Sequence, residues 1–79
     1  MEVEVALYAT LIGYHPEKGG NRPFRVEIKK GSVVSDLLAE LGIGEGEAKQ
    51  VFIRHKSRPF DFPLEDGDHV AVFPAIAGG

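Results

Sequence analysis

The clearest structural signal in the sequence is GSVVSDLLAELG, Gly31–Gly42. Its apolar residues recur at the i, i+3, i+4 and i+7 spacing of one helix face, at positions Val34, Leu37, Leu38 and Leu41. Ser32 is suited to the N-cap, and Asp36 lies early in the helix, where the macrodipole favours a carboxylate. Gly42 can adopt the left-handed conformation that ends a helix. The stretch therefore predicts an amphipathic helix with one buried face.

Before this helix, two segments alternate between apolar and polar residues with a period of two, which is typical of strands. The first is Met1–Thr10, with Val3, Val5 and Leu7 on one side. The second is Phe24–Lys29, whose inward residues are Phe24, Val26 and Ile28. The intervening Gly13–Pro23, GYHPEKGGNRP, is rich in Gly, Pro and Asn. We expect the two strands to form an antiparallel hairpin around this loop.

After the helix, Gln50–His55 returns to strand character, and HKSRP at His55–Pro59 predicts a turn. Phe60–Phe62 could add a short strand. At Glu65–Asp68 a second turn is expected, with aspartates that bond local amides and a Gly67 that accepts positive φ. The last strand, His69–Phe73, should stop at Pro74, because proline has no N–H for the sheet ladder.

The resulting order is β-β-α-β-β, an α+β architecture with one helix packed across a mixed sheet. Residues 1–74 are expected to form a single domain, and residues 75–79 a flexible C-terminal tail. A chain of 79 residues with no cysteine has no disulfide and no thiol nucleophile. Its formal charge of −3 argues against nucleic acid or an anionic membrane as the partner. The N-terminus lacks the features of a signal peptide, so we expect a cytoplasmic protein.

No constellation in the sequence favours catalysis. The three histidines, His15, His55 and His69, are far apart, and no cysteine completes a metal-ligand set. Asp66 and Asp68 lack the further oxygen ligands of a calcium loop, and turn chemistry accounts for both. No serine has a histidine and a carboxylate in a recognisable pattern beside it. We therefore expect neither an enzyme nor a metal protein.

The C-terminal FPAIAGG is the remaining candidate site. Ala75, Ile76 and Ala77 are small to medium and uncharged, which suits an extended run through a narrow channel. Gly78 and Gly79 follow, and a carboxylate on Gly79 would be an unhindered acyl group. Five extended residues reach roughly 17 Å at about 3.4 Å each. The tail is thus long enough to place that carboxylate inside a partner's active site.

Three stretches, VVSDLLAELGI, PLEDGDHVAVFP and the terminal AGG, resemble the ThiS/MoaD family of ubiquitin-like sulfur carriers. The similarity covers essentially the whole chain and implies the β-grasp fold. It also implies that an E1-like enzyme uses ATP and Mg²⁺ to adenylate the Gly79 carboxylate. A sulfurtransferase would then supply sulfur and leave a C-terminal thiocarboxylate, with no cofactor bound to the carrier itself.

Two branches of the family differ in the acceptor of the sulfur. The Phe73–Pro74 step and the long Gly13–Pro23 loop look more like the molybdopterin branch, whose partner is the molybdopterin synthase large subunit. The alternative is the thiamine branch, whose partner is thiazole synthase. The sequence of the turn at His55–Arg58 departs from the Asn-Gly of many relatives. A ubiquitin-like protein modifier and a non-covalent β-grasp interaction module also stay open.

Strand alternation places the expected partner-docking residues. If Val70 and Val72 face the helix, Ala71 and Phe73 lie on the other side of the sheet. Phe52 joins them if Val51 faces the helix. An aromatic pair on an open sheet face is a plausible hydrophobic contact for the activating enzyme or the acceptor.

Overall fold

A computed structural model describes residues 1–17, 22–44 and 46–75 of the chain. These residues form a five-stranded mixed sheet with an α-helix packed across one face. The sheet order is β2-β1-β5-β3-β4. The elements in chain order are β1 (Glu2–Leu7), a 3₁₀ helix (Ala9–Tyr14), β2 (Phe24–Glu27), α1 (Val34–Leu41), β3 (Ala48–Ile53), β4 (Lys56–Ser57) and β5 (His69–Pro74). No described helix has the length and hydropathy of a membrane span.

Strand β1 has two neighbouring strands in the sheet, the next strand in the chain and the last one. It pairs antiparallel with β2, as predicted for the hairpin, and parallel with β5, with Val5 opposite Val70 and Leu7 opposite Val72. The parallel pairing of the first and last strands, with the helix crossing between them, gives the predicted β-grasp fold. The inward side chains form one core between the sheet and α1, comprising Val3, Val5, Leu7, Leu11, Val34, Leu37, Leu38, Ile43, Ala48, Val51, Ile53, Leu64, Val70 and Val72.

The structure confirms the predicted buried face of the helix, but the predicted N-cap residue is wrong. Val34, Leu37 and Leu38 are buried, and Gly42 ends the helix at a φ of 80°. Ser32 does not cap it, because its Oγ donates to the Lys29 carbonyl at 2.6 Å. Val33 occupies the N-cap, and its N–H donates to Asp36 Oδ2 at 2.9 Å.

The first N–H groups of α1 find their acceptors outside the helix. Val34 donates to the Phe62 carbonyl and Ser35 to the Phe60 carbonyl, at 3.1 and 2.8 Å. These donors have no partner within a helix and need one elsewhere. The predicted strand at Phe60–Phe62 is wrong. This segment is a turn, and its carbonyls accept hydrogen bonds from the first N–H groups of α1.

Strand β1 is shorter than the predicted Met1–Thr10, since it ends at Leu7. Ala9 has a φ of 53°, a left-handed conformation that costs a residue with a Cβ roughly 1–2 kcal/mol. The chain turns there into the 3₁₀ helix Ala9–Tyr14, which buries Leu11 in the core. Part of the predicted Gly13–Pro23 loop therefore belongs to this helix.

Strand β3 begins at Ala48, two residues before the predicted start, and ends at Ile53. The turn lies at Arg54 and His55, with φ values of 56° and 67°, and not at His55–Pro59. A two-residue hairpin favours positive φ at both positions, because that geometry matches the twist of the strands. Lys56–Ser57, predicted as turn, forms β4.

The turn at Glu65–Asp68 is confirmed. Gly67 has a φ of 86°, and Asp68 Oδ2 accepts the Glu65 N–H at 2.8 Å. Asp66 Oδ1 accepts the Glu2 N–H at 2.7 Å, which ties the turn to β1. Strand β5 ends at Pro74, one residue later than predicted, where it pairs with Ala48.

Candidate functional site

The end of β5 is the place from which the tail leaves the sheet. Because β5 lies between β1 and β3, Pro74 emerges with a neighbouring strand on either side. Ala75, the last described residue, is exposed. The predicted site residues Ile76, Ala77, Gly78 and Gly79 lie outside the described residues.

The sheet face opposite α1 carries an aromatic patch, which we define as Tyr8, Phe52, Ala71 and Phe73. The Phe73 ring stacks on Tyr8, with centroids 4.4 Å apart and planes at 5°. Phe52 meets the same ring edge-on, at 5.6 Å and 84°. All four residues are half-buried. The prediction that Phe52, Ala71 and Phe73 share this face is confirmed, and their docking role stays a prediction.

Tyr8 is the member of the patch that sequence reasoning missed. It follows β1, and its N–H donates to the Val72 carbonyl at 3.2 Å. The parallel register, which places Ala6 opposite Ala71, brings the next outward residue of each strand together as Tyr8 and Phe73. The alternation of β1 assigns Tyr8 to this face, but the contact depends on the pairing of the two strands.

The other end of the same face is charged. His69 Nδ1 lies 3.0 Å from Glu4 Oε2, and Arg25 Nη1 lies 3.6 Å from Glu2 Oε1. Arg54 donates two hydrogen bonds to the nearly buried Asp68 carboxylate, at 3.2 and 3.1 Å. The apolar half of the face thus lies at the tail end of β5, and the charged half lies at the beginning of that strand.

The three histidines have separate local roles. His15 is buried, with Nε2 3.0 Å from the Arg22 carbonyl and Nδ1 accepting the Glu17 N–H at 3.0 Å. His55 forms the β3–β4 turn, and His69 faces Glu4. In residues 1–17, 22–44 and 46–75, no three acidic or histidine side chains are grouped as metal ligands would be.

A further polar contact joins the two connections that flank the end of β5. The Tyr14 hydroxyl donates to Glu47 Oε2 at 2.5 Å, and Glu47 Oε1 accepts the Gly44 N–H at 2.8 Å. The hydrogen bond to Glu47 raises the pKa of Tyr14. The same bond, followed by that from Gly44, lowers the pKa of Glu47. We call this pair of side chains the Tyr14–Glu47 clasp.

Comparison with solved structures identifies the same class of fold. SAMP1 from Haloferax volcanii superposes with a TM-score of 0.72 at 22% identity, covering 100% of both chains. A putative molybdopterin converting factor, subunit 1, from Pyrococcus furiosus has a TM-score of 0.73 at 24% identity, over 96% of this chain and 99% of that one. The complex of subunits 1 and 2 of the molybdopterin-converting factor from Helicobacter pylori contains a chain with a TM-score of 0.60 at 23% identity, over 100% of both. These are β-grasp, ubiquitin-like proteins.

The sequence itself matches the model of the ThiS family over residues 16–79. No curated protein matches it. The fold and the match define a small ubiquitin-like protein. The chain belongs to the ThiS family.

Proposed function

We propose that this protein is a sulfur carrier whose Gly79 carboxylate is converted to a thiocarboxylate and supplies sulfur for molybdopterin synthesis. The observation that carries the proposal is the family match, which runs through the glycine pair to residue 79. The exposure of Ala75 also supports it, since this residue directly follows the end of β5 at Pro74.

The proposed chemistry takes place in the partner's active site. With ATP and Mg²⁺ bound to an E1-like enzyme, a carboxylate oxygen of Gly79 attacks the α-phosphorus of ATP and pyrophosphate leaves. Hydrosulfide, released from a sulfurtransferase persulfide by a thiol reductant, then attacks the carbonyl carbon; AMP leaves, and loss of the sulfur-bound proton gives the thiocarboxylate. The mixed anhydride stores the free energy of ATP in an acyl group, so sulfur can replace oxygen at neutral pH. In this scheme the carrier contributes no catalytic group.

The aromatic patch is the proposed docking surface. Its half-buried rings lie at the tail end of the sheet, so a partner that accepts the tail also covers the patch. Aromatic side chains are enriched among residues that contribute most to binding, and a core free of charges suits them. Phe73, only two residues before Ala75, is the expected anchor.

A molybdopterin synthase large subunit is the proposed acceptor. The complex from Helicobacter pylori, which has a chain of the same fold, supports this choice. The Phe73–Pro74 step and the long Gly13–Pro23 loop, which resemble the molybdopterin branch, support it too. Thiazole synthase is the second candidate acceptor, since the matching family model is that of ThiS.

A pull-down from the native organism, with the carrier in its thiocarboxylate form, distinguishes the acceptors. The proposal predicts that a pterin-handling large subunit is recovered and that deletion of Gly79 abolishes ATP–pyrophosphate exchange without loss of the fold. Recovery of thiazole synthase would assign the protein to the thiamine branch. Lysine-linked adducts without sulfur transfer would identify a protein modifier. Activity that survives either the deletion of Gly79 or the addition of residues after Gly79 would indicate a non-covalent module.

A further inference from the structure

The end of β5 is enclosed by two connections that lie at the same edge of the sheet. Strands β1 and β5 are parallel, so the 3₁₀ helix after β1 lies at the end from which the tail leaves. Strand β3 is antiparallel to β5, so the connection before Ala48 lies there too. Since Ala48 pairs with Pro74, the preceding Glu47 is level with Ala75.

The clasp crosses this edge on the helix side of the sheet. Leu11 of the 3₁₀ helix is buried in the core between the sheet and α1, and Tyr14 packs against the same core. On the other side, Glu47 is held to Gly44, which follows the buried Ile43 at the end of α1. The hydrogen bond from Tyr14 to Glu47 therefore joins the two neighbours of β5 over its helix side.

We propose that Tyr14 and Glu47 are positioning residues that direct the tail away from α1 and toward the face that carries the aromatic patch. With the helix side closed by the clasp, the open direction beyond Ala75 is the patch side. One partner surface can then contact the patch and receive the tail together. This inference rests on the proposed function, because it concerns how the tail is presented to the activating enzyme.

The helix side offers the tail a competing site. An apolar groove of about 370 Å³ lies there, lined by Leu38, Ala39, Ile43, Gly44 and Ala48 among others. The tail residues Ala75, Ile76 and Ala77 are themselves apolar. If the clasp opens, the tail is the occupant we expect in this groove, and the fraction of molecules that present Gly79 to a partner falls.

Spin labels on the two sides of the sheet test the direction of the tail without any partner. The chain has no cysteine, so a single cysteine can be introduced at exposed positions, Gln50→Cys on the patch face and Glu40→Cys on the helix. In the otherwise wild-type chain, the label at position 50 should broaden the Gly78 and Gly79 amide signals more than the label at position 40. In the Tyr14→Phe variant, the broadening caused by the label at position 50 and by the label at position 40 should become more nearly equal.

Equal broadening in the wild-type background, or an unchanged ratio in Tyr14→Phe, would overturn the inference. Tyr14→Phe keeps the ring that packs on the core and removes the hydroxyl alone. Glu47→Ala removes the acceptor instead, and should reproduce the result. Glu17→Gln is the matched control, because it breaks an exposed ion pair with Arg22 in the same connection and leaves the clasp intact.

The kinetics of activation provide a second readout. Because the apparent affinity scales with the fraction of competent molecules, Tyr14→Phe should raise the KM for the carrier about two- to tenfold and leave kcat unchanged. A lowered kcat at an unchanged KM would contradict a positioning role. If the wild-type chain is not activated at all, the proposed function fails, while the spin-label ratio still decides whether the clasp directs the tail.

Discussion

The substitution Phe73→Ala tests the docking surface most sharply, because Phe73 is the centre of the aromatic patch. It removes the stacked contact with Tyr8 at 4.4 Å and the edge-on contact with Phe52 at 5.6 Å. Each aromatic pair contributes about 0.5–1.5 kcal/mol beyond buried area. Loss of the two ring contacts should lower the free energy of unfolding by about 1–3 kcal/mol, and loss of the half-buried apolar area of the ring adds to this. A domain of this length has about 4–12 kcal/mol in total, so the variant should still fold.

The effect on binding should exceed the effect on the fold. Truncation of an aromatic anchor at an interface costs at least about 2 kcal/mol, which is about a 30-fold increase in Kd. Urea unfolding gives the stability of the variant, and calorimetric titration with the activating enzyme gives its Kd. Both measurements belong at a temperature where the variant is folded.

Phe60→Ala provides the matched control, because it is the same substitution on the helix side of the molecule. Phe60 is 42% exposed, and its carbonyl, which serves the helix, is retained in the variant. Its Kd should equal that of the wild type. A wild-type Kd for a folded Phe73→Ala variant would refute the docking role, as would an equal loss of affinity in Phe60→Ala.

Three other predictions concern the turns and the clasp. His55→Gly should stabilise the fold by about 0.5–1 kcal/mol in urea unfolding, because His55 has a φ of 67°; a lower stability would contradict this. Asp68→Ala should cost about 1.5–3 kcal/mol, since Arg54 and the Glu65 N–H lose their acceptor, whereas the exposed Asp61→Ala should be neutral. By NMR titration, the pKa of Glu47 should lie below 4.5 and rise toward it in Tyr14→Phe. Because the folded pKa is lowered, this contribution to stability is present above pH 4.5 and is lost as the pH falls through the folded pKa. An unshifted Glu47 in the wild type would argue against the clasp.

The helix and the central strands could be predicted because their signals are local. The spacing of Val34, Leu37 and Leu38 defines a helix face, and the alternation of Val70 and Val72 defines a strand. The same alternation placed Phe73 on the open face. The Asp and Gly residues of the Glu65–Asp68 turn carry their own conformational preferences, so that turn was also predictable.

The features that were missed depend on contacts between distant segments. Ser32 has the chemistry of an N-cap, but the carbonyls of Phe60 and Phe62 occupy the donors of the first helical turn. Arg54 and His55 adopt positive φ without the glycine or asparagine that would signal it.

The missed tyrosine contacts have a similar cause. Tyr8 meets Phe73 only through the parallel pairing of β1 with β5. Tyr14 meets Glu47 only after Ala9 has turned the chain toward the helix side. Both contacts arise at the tail end of the sheet, where the fold brings together residues that are far apart in the sequence.

The mass of the C-terminal peptide shows whether the Gly79 carboxylate becomes a thiocarboxylate. The protein is incubated with its E1-like enzyme, ATP, Mg²⁺ and a sulfur donor, and the peptide that contains Gly79 is analysed by mass spectrometry. We expect that one oxygen at Gly79 is replaced by sulfur, that the replacement depends on ATP, and that a thiol-alkylating reagent traps the product. An unchanged mass, in a reaction where the same enzyme forms AMP, would contradict it.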